Sequence, residues 1–209
     1  MAKEQVKKLG QVTLKGARAS FFKAFEKTAS VASGRESYRS NWLFDPNTAE
    51  GRACIAACKK AVEEVKVAQW KDKAKSIKFK PDRLCFREGD TFCNEETGEI
   101  YDGYEGMMAL VTNNQNKPTI VNRDRTPLSK DDGVIYSGCY CVVVARFYAV
   151  TGQEKGGNGI FCTLEGVQFL RNGEAFGSAA LNAEEAFEDL GDLEDEGDSL
   201  DDDDEDGMI

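Results

Sequence analysis

The sequence contains no histidine, which removes the commonest general base and the Ser-His and Cys-His pairs of nucleophilic enzymes. No P-loop, nucleophile elbow or HExxH pattern appears either. The seven cysteines are odd in number and include no CxxC pair, so we expect reduced thiols rather than disulfides or a zinc site. We therefore expect a protein that is not an enzyme and that uses no metal and no other cofactor.

Long apolar runs are also missing. No stretch approaches the roughly 18 apolar residues of a membrane span, and residues 1–10 are charged and lack the apolar core of a secretory signal. These absences predict a soluble, cytoplasmic protein with no membrane partner. Nothing in the sequence indicates a small-molecule substrate.

Acidic residues are concentrated at one end of the chain. The last twenty-six residues, 184–209, hold fifteen Asp or Glu and no Lys or Arg, out of 37 acidic residues in total. Residues 1–183 therefore keep 27 basic and 22 acidic residues, a net charge of +5 beside a tail of −15. A tethered polyanion can compete for the polyanion that the cationic body binds, and nucleic acid is the obvious one. Such tails can also serve only to keep a protein soluble and disordered.

The first part of the chain predicts two strands and a helix. Residues 11–25 read as short extended segments broken at Gly16, and residues 38–44 alternate as a half-buried strand does. Asn47 and Glu50 form a capping-box pattern. Apolar residues then recur at helical spacing, so we predict one helix at about residues 49–74 with a far end that is rich in lysine.

The later part of the chain predicts strands. Residues 81–103 are polar and irregular, residues 104–112 suit a core strand, and residues 117–122 could return as its partner after a turn at 113–116. The strongest signal is a long hairpin, with residues 140–150 and 160–170 joined by a glycine-rich turn. Cys139 and Cys141, two apart in an apolar run, suit small buried side chains on one face.

This pattern predicts a mainly β fold with one inserted helix. A small five-stranded barrel of the oligonucleotide-binding (OB) type fits the strand count. We expect one such domain at residues 1–183, followed by a disordered acidic tail at residues 184–209.

Binding of single-stranded nucleic acid requires cations that follow the phosphates and flat aromatic faces for the bases. The residues that best meet these requirements, and that we predict to contact DNA, are Arg18, Lys23, Arg39, Lys73, Lys75, Tyr104, Lys117, Arg123, Arg125, Tyr136, Arg146 and Tyr148. Tyrosine suits a wet groove, whereas phenylalanine lacks a polar group, so we expect Phe21, Phe22 and Phe25 to pack in the core. The paired carboxylates at 95–96 and 131–132 lie in turn-like sequence without further ligands, and we assign them no metal.

Five segments and the start of the tail carry a family resemblance. They are ARASFFKAF (17–25), YRSNWLF (38–44), KPTIVNRDRTPL (117–128), YSGCYCVVVARFY (136–148), KGGNGIFCTLEGVQFLRNGEAFG (155–177) and AEEAFEDL (183–190). In these segments the chain resembles the single-stranded DNA-binding proteins of tailed bacteriophages, and within them the Enterobacter phage Enc type. The resemblance implies an OB barrel that coats single-stranded DNA without sequence preference during phage replication and recombination in the host cytoplasm. It also implies a tail that contacts replication proteins.

Two other functions stay open on the sequence alone. An acidic-tailed interaction scaffold, or a chaperone for basic proteins, would use the tail as its binding element. A carboxylate-metal nuclease would need ligands that the pattern does not assemble.

Overall fold

A computed structural model describes residues 8–29, 34–152 and 156–177 of the chain. The chain divides into two units, Met1–Gly177 and Ser178–Ile209, and every described residue belongs to the first. The predicted tail, and residues 178–183 of the predicted binding domain, lie outside the described residues.

The described residues form seven strands and one α-helix. Along the chain these are β1 (Gln11–Ala29), β2 (Glu36–Phe44), α1 (Ala49–Trp70), β3 (Phe86–Glu88), β4 (Met108–Asn114), β5 (Thr119–Val121), β6 (Tyr140–Val150) and β7 (Gly159–Arg171). No helix in this part of the chain is long and apolar enough to span a membrane.

Five of the strands close into a barrel of the OB type. β1 pairs antiparallel with β2 and with β6, β2 pairs with β4, and β6 pairs with β7. The ring closes where β4 and β7 run parallel, with Asn113 opposite Thr163. Next to this pair, the Cys85 N–H donates to the Ile160 carbonyl (2.9 Å) and the Cys85 carbonyl accepts from the Val111 N–H (2.8 Å). The predicted OB barrel with one helix is thus confirmed.

Buried apolar side chains fill the barrel, and α1 covers one end of it. The helix turns toward the core a row of residues at three- and four-residue spacing: Cys54, Ile55, Cys58, Ala61 and Val65. Polar groups inside the barrel find partners, because an unsatisfied buried donor is costly. The Trp42 indole N–H donates to Thr112 Oγ1 (2.9 Å), whose hydroxyl donates to the Ser40 carbonyl (2.8 Å).

A second, smaller apolar cluster lies outside the barrel. Part of the connection between α1 and β4 folds back over β2 and β4, and Phe92 and Tyr104 cover Leu43 and Ala109. Tyr101 and Phe176 pack at the margin of this cluster. Aromatic residues of this connection therefore lie against the outer surface of the barrel.

The structure corrects three of the predicted strands. β1 is one continuous strand, because a bulge at Gly16 (φ +87°) shifts the register with β6 without ending the strand. The strand predicted at 104–112 begins only at Met108. Residues 117–122 do not return to that strand, since β5 pairs in parallel with β7.

The helix begins at the predicted residue but has a different N-cap and ends earlier than predicted, whereas the hairpin is confirmed. The N-cap of α1 is Thr48, whose hydroxyl accepts from the Gly51 N–H (3.0 Å), and not Asn47. The helix ends at Trp70, because Lys71 adopts a positive φ and a 3₁₀ turn (Lys71–Ser76) follows. β6 and β7 pair antiparallel along their length as predicted, and Cys139 and Cys141 are both buried.

Candidate nucleic-acid interface

The register of β1, β2 and β4 defines one outer surface of the barrel. Arg39 on β2 lies opposite Lys23 on β1 and Asn113 on β4, and Asn41 lies opposite Val111. Direct partners on antiparallel strands point to the same face. The alternate residues of β2 and β4 point inward and are buried: Ser40, Trp42, Leu110 and Thr112. We call the outward set the β1–β2–β4 face, which comprises Phe21, Lys23, Arg39, Asn41, Tyr101, Val111 and Asn113.

Phe21 is the exposed aromatic residue of this face. Its side chain is 44% exposed, and its ring meets Tyr101 edge-on with the centroids 5.0 Å apart. The register with β2 shifts between Ser20 and Lys23, and within this bulge Phe21 adopts φ +45°. A positive φ at a bulky residue costs about 1–3 kcal/mol and is found mostly at functional sites. The bulge therefore presents an aromatic ring to solvent at an energetic cost.

Tyr104 lies beneath Phe21 and supports it. Tyr104 is fully buried, and its hydroxyl donates to Ser20 Oγ (3.1 Å) and accepts from Asn41 Nδ2 (2.8 Å). Burial raises the pKa of the Tyr104 hydroxyl. The Tyr104 ring centroid is 6.1 Å from that of Phe21. Contrary to the sequence prediction, this tyrosine is not accessible for direct contact with DNA and instead positions its neighbours.

The cations of the face differ in how they are held. Lys23 is exposed, whereas the Arg39 guanidinium donates to the carbonyls of Thr28 and Arg35 (3.4 Å to the latter) and so ties together the two ends of the β1–β2 connection. Nearby, the Lys27 ammonium lies 5.8 Å from the Tyr38 ring centroid. The face thus carries positive charge along the edge that leads to the β1–β2 connection.

Arg18 lies at the other side of the face, where the described chain ends. It donates to the carbonyls of Gly138 (3.2 Å) and Glu174 (2.8 Å), and its guanidinium stacks 4.0 Å from the Phe176 ring centroid. The Gly177 N–H lies 3.5 Å from a carboxylate oxygen of Asp102, the residue after Tyr101. The segment that leads to residue 178 is therefore fixed beside the β1–β2–β4 face.

Three of the predicted contacts belong to a different surface. An open apolar groove of about 590 Å³ is lined by Thr119, Val121, Arg125, Val142, Val144, Glu165, Gly166, Val167 and Gln168. We call it the β5–β6–β7 groove. Arg125 stands at its margin, Lys117 is exposed just before β5, and Arg123 lies 5.5 Å from the Phe169 ring centroid. The fold does not bring these three cations to the β1–β2–β4 face, and their contact with DNA stays a prediction.

The remaining predicted residues on the hairpin and near it already have protein partners. Arg146 Nε forms an ion pair with Glu165 Oε1 (2.8 Å). The Tyr148 ring lies 6.2 Å from that of Phe161, and burial raises the Tyr148 pKa. The Tyr136 hydroxyl donates to the Gly173 carbonyl (2.8 Å).

Lys73 and Lys75 are exposed in the 3₁₀ turn after α1, away from the face.

The phenylalanine prediction was wrong at one position. Phe22 and Phe25 pack against the core as expected, with ring centroids 5.4 Å apart, but Phe21 points outward. Asn41, Tyr101 and Asn113, which also lie on the face, were not among the residues predicted to contact DNA. Adjacent strand residues point to opposite sides, so the pair Phe21-Phe22 could have indicated one outward ring.

The acidic and thiol side chains of the described residues were compared with the arrangement that a metal site requires. No three His, Cys, Asp or Glu side chains there are placed to hold a metal ion. All seven cysteines are free thiols, and burial raises the pKa of Cys54 to about 11.

Comparison with known proteins places the chain among phage proteins. The family model described as "Enterobacter phage Enc34, ssDNA-binding protein" matches residues 10–200. Protein p50 of Acyrthosiphon pisum secondary endosymbiont phage 1 is 32% identical over 191 residues, which cover 89% of this chain and 97% of p50.

Solved structures support the fold. The single-stranded DNA-binding protein of bacteriophage Enc34 in complex with ssDNA superposes with a TM-score of 0.67 at 23% identity, covering 84% of this chain and all of that one. Another structure of the Enc34 protein superposes with a TM-score of 0.61 at 22% identity, covering 88% of this chain and 97% of that one.

Proposed function

The chain belongs to the family of the Enterobacter phage Enc34 ssDNA-binding protein, and from this premise we propose that it binds single-stranded DNA on the β1–β2–β4 face. The observation that carries the proposal is the exposed Phe21 ring, held by Tyr101 and Tyr104 and followed by Lys23. The outer surface of the second and third barrel strands is where OB folds bind oligonucleotides. β2 and β4 are those strands here.

The chemistry of the face suits binding without sequence preference. A base of any identity has a π-face that can lie on Phe21, while Lys23 attracts the phosphates. Asn41 and Asn113 add amide groups that can serve as donors or acceptors. Val111 supplies apolar surface between them. Stacking on a ring and attraction of a phosphate do not depend on the identity of the base, so every sequence should bind comparably.

The proposed biological role is protection of single-stranded DNA during phage replication and recombination in the host cytoplasm. The acidic tail, residues 184–209 with a charge of −15, would compete with DNA for the face and contact replication proteins. The charge asymmetry between residues 1–183 (+5) and the tail (−15) supports this proposal.

Substitution of Phe21 tests the proposed surface. In the full chain, F21A should weaken binding of a labelled oligo-dT by about 1–3 kcal/mol, because one base loses its stacking partner. F21Y keeps the ring and should bind almost as the wild type does. L9A removes another exposed apolar side chain, outside the face, and serves as the control.

Fluorescence anisotropy at one fixed salt concentration would measure all four proteins. Equal affinity of F21A and L9A for oligo-dT would disprove the proposed surface. If no oligonucleotide bound to any form while a basic protein did, the interaction-scaffold function would replace DNA binding.

A further inference from the structure

Lysines are concentrated in the segment that follows α1. Residues 71–80, which we call the lysine segment, contain Lys71, Lys73, Lys75, Lys78 and Lys80, all exposed, and the single acidic residue Asp72. None of the ion pairs among the described residues involves these five lysines. The segment is therefore a strong local positive charge that the fold does not neutralise.

The fold holds this segment in a defined conformation. Ala74 is 2% exposed and anchors the 3₁₀ turn, and the Ser76 hydroxyl donates to the Lys73 carbonyl (2.8 Å). Phe79 packs edge-on against Trp70 with the ring centroids 5.5 Å apart. Both rings are half-buried, so part of each stays accessible between the lysines. Exposed lysines and two accessible aromatic rings are thus held in one short segment.

The far end of the lysine segment reaches the turn between β6 and β7. The Arg83 N–H donates to the Lys80 carbonyl (2.9 Å), and the Arg83 guanidinium donates to the Gly157 carbonyl (3.1 Å). Two residues later, Cys85 joins Val111 of the β1–β2–β4 face through a backbone hydrogen bond. In OB folds the loop between the last two barrel strands borders the ligand path. The far end of the lysine segment therefore lies beside the β6–β7 turn, and the chain continues from there to the β1–β2–β4 face.

We propose that the lysine segment is a second contact surface for single-stranded DNA, which holds the phosphates of the strand after it leaves the β1–β2–β4 face past the β6–β7 turn. The inference rests on the proposed function. Lysine ammonium groups on flexible stems attract phosphates without reading sequence, and the accessible parts of Trp70 and Phe79 offer bases a surface to lie on. These aromatic rings favour nucleic acid over an acidic protein segment as the occupant.

A matched pair of double substitutions tests this site in the full chain. K73Q/K75Q removes two charges from the lysine segment, and K59Q/K60Q removes two exposed charges from α1, about three helical turns away, of which Lys60 lies 3.9 Å from the Glu64 carboxylate. Binding to labelled oligo-dT of about 6 and about 20 nucleotides is measured by anisotropy over a salt series, since OB folds occupy about 4–16 nucleotides. Circular dichroism confirms that each variant is folded.

The expected change is confined to the longer oligonucleotide. For K73Q/K75Q the slope of log K against log salt should become shallower by about 1.4, because each lost phosphate contact on a single strand contributes about 0.7. The shorter oligonucleotide and the K59Q/K60Q protein should behave as the wild type does.

Three outcomes would contradict the inference or its premise. If K73Q/K75Q matched K59Q/K60Q on the longer oligonucleotide while F21A still weakened the shorter one, the second surface would be disproved and the proposed function would stand. If F21A changed neither oligonucleotide, the β1–β2–β4 face itself would be wrong. An equal change on both lengths would also overturn the extended path and would indicate an acidic chain segment as the occupant.

Discussion

On the β1–β2–β4 face an exposed Phe21 precedes Lys23, whereas in the β5–β6–β7 groove four valines line the surface and Glu165 pairs with the neighbouring Arg146. Both surfaces belong to the same barrel, and both carry aromatic rings and cations nearby. They differ in whether those groups are available to a ligand. Lys23 forms none of the ion pairs seen among the described residues.

The difference shows that residue type alone does not define a binding surface. A cation that already faces a carboxylate contributes little net charge to its surroundings, because the two potentials largely cancel a few ångströms away. An aromatic ring that packs into the core presents no face to a base. Among the predicted contacts, those without a protein partner are therefore the most available to DNA.

The largest expected difference is in the free energy of unfolding after substitution of the two tyrosines that lie near these surfaces. Y104F should lower the free energy of unfolding by about 1–3 kcal/mol, because Ser20 and Asn41 both lose a buried hydrogen-bond partner. Y148F, on the β6–β7 side, should lower it by less than about 1 kcal/mol. Urea unfolding followed by circular dichroism gives both values. A larger loss for Y148F would reverse the ranking of the two regions.

Removal of the acidic tail should raise the affinity of the face for single-stranded DNA about tenfold. A chain ending at Ala183 should bind oligo-dT roughly ten times more tightly at low salt. This factor follows if the tail, at an effective concentration of about 1 mM, binds the face with a dissociation constant of about 0.1 mM. The gain should shrink as salt rises. A full-length chain with residues 201–206 changed to Asn or Gln controls for tail length. Unchanged affinity of the truncated chain at low salt would refute competition by the tail.

Lys23 and Arg146 should differ in how much each contributes to the salt dependence of DNA binding. K23Q should make the slope of log K against log salt shallower by about 0.7, the contribution of one phosphate contact on a single strand. R146Q should change it less, because Glu165 already compensates this charge. E165Q sharpens the test by leaving Arg146 without its partner. Tighter DNA binding by E165Q would show that DNA also passes over β6 and β7.

The smallest effect is expected in the groove itself. V144K places a new cation in the β5–β6–β7 groove, at a half-buried position where the stem can extend to solvent. Binding of oligo-dT should stay within about twofold, because nonspecific attraction to one added charge is weak in water. An increase in affinity as large as the decrease expected for F21A would show that DNA passes over the groove.

The hairpin and the helix were predictable because their patterns are local. β6 and β7 are rich in β-branched and aromatic residues and are joined by glycines, which is a signal within about thirty residues. The partner of β5 was not predictable in the same way. Its parallel pairing with β7 joins Thr119 to Gly166, which no turn between them specifies.

The site was only partly predictable, because availability depends on distant residues. Arg146 is compensated by Glu165, and Tyr104 is covered and bonded by Ser20, far away in sequence. Regular alternation indicates that one of Phe21 and Phe22 points outward, but the bulge between Ser20 and Lys23 decides that it is Phe21. Lys23 is exposed, as charged side chains usually are, and its contact with DNA stays a prediction.

The way the barrel closes has a consequence for its opening motions. β4 and β7 share the pair Asn113 and Thr163, and residues 84–85 bridge the gap beside it through the Cys85 N–H and carbonyl. By contrast, β6 and β7 pair along eleven residue positions. The seam between β4 and β7 is therefore the place where the ring can part with the fewest broken bonds. Amide hydrogen exchange should therefore be fastest at Val111 within the barrel. A single strand of DNA bound across β4 would stabilise the closed ring and slow this exchange.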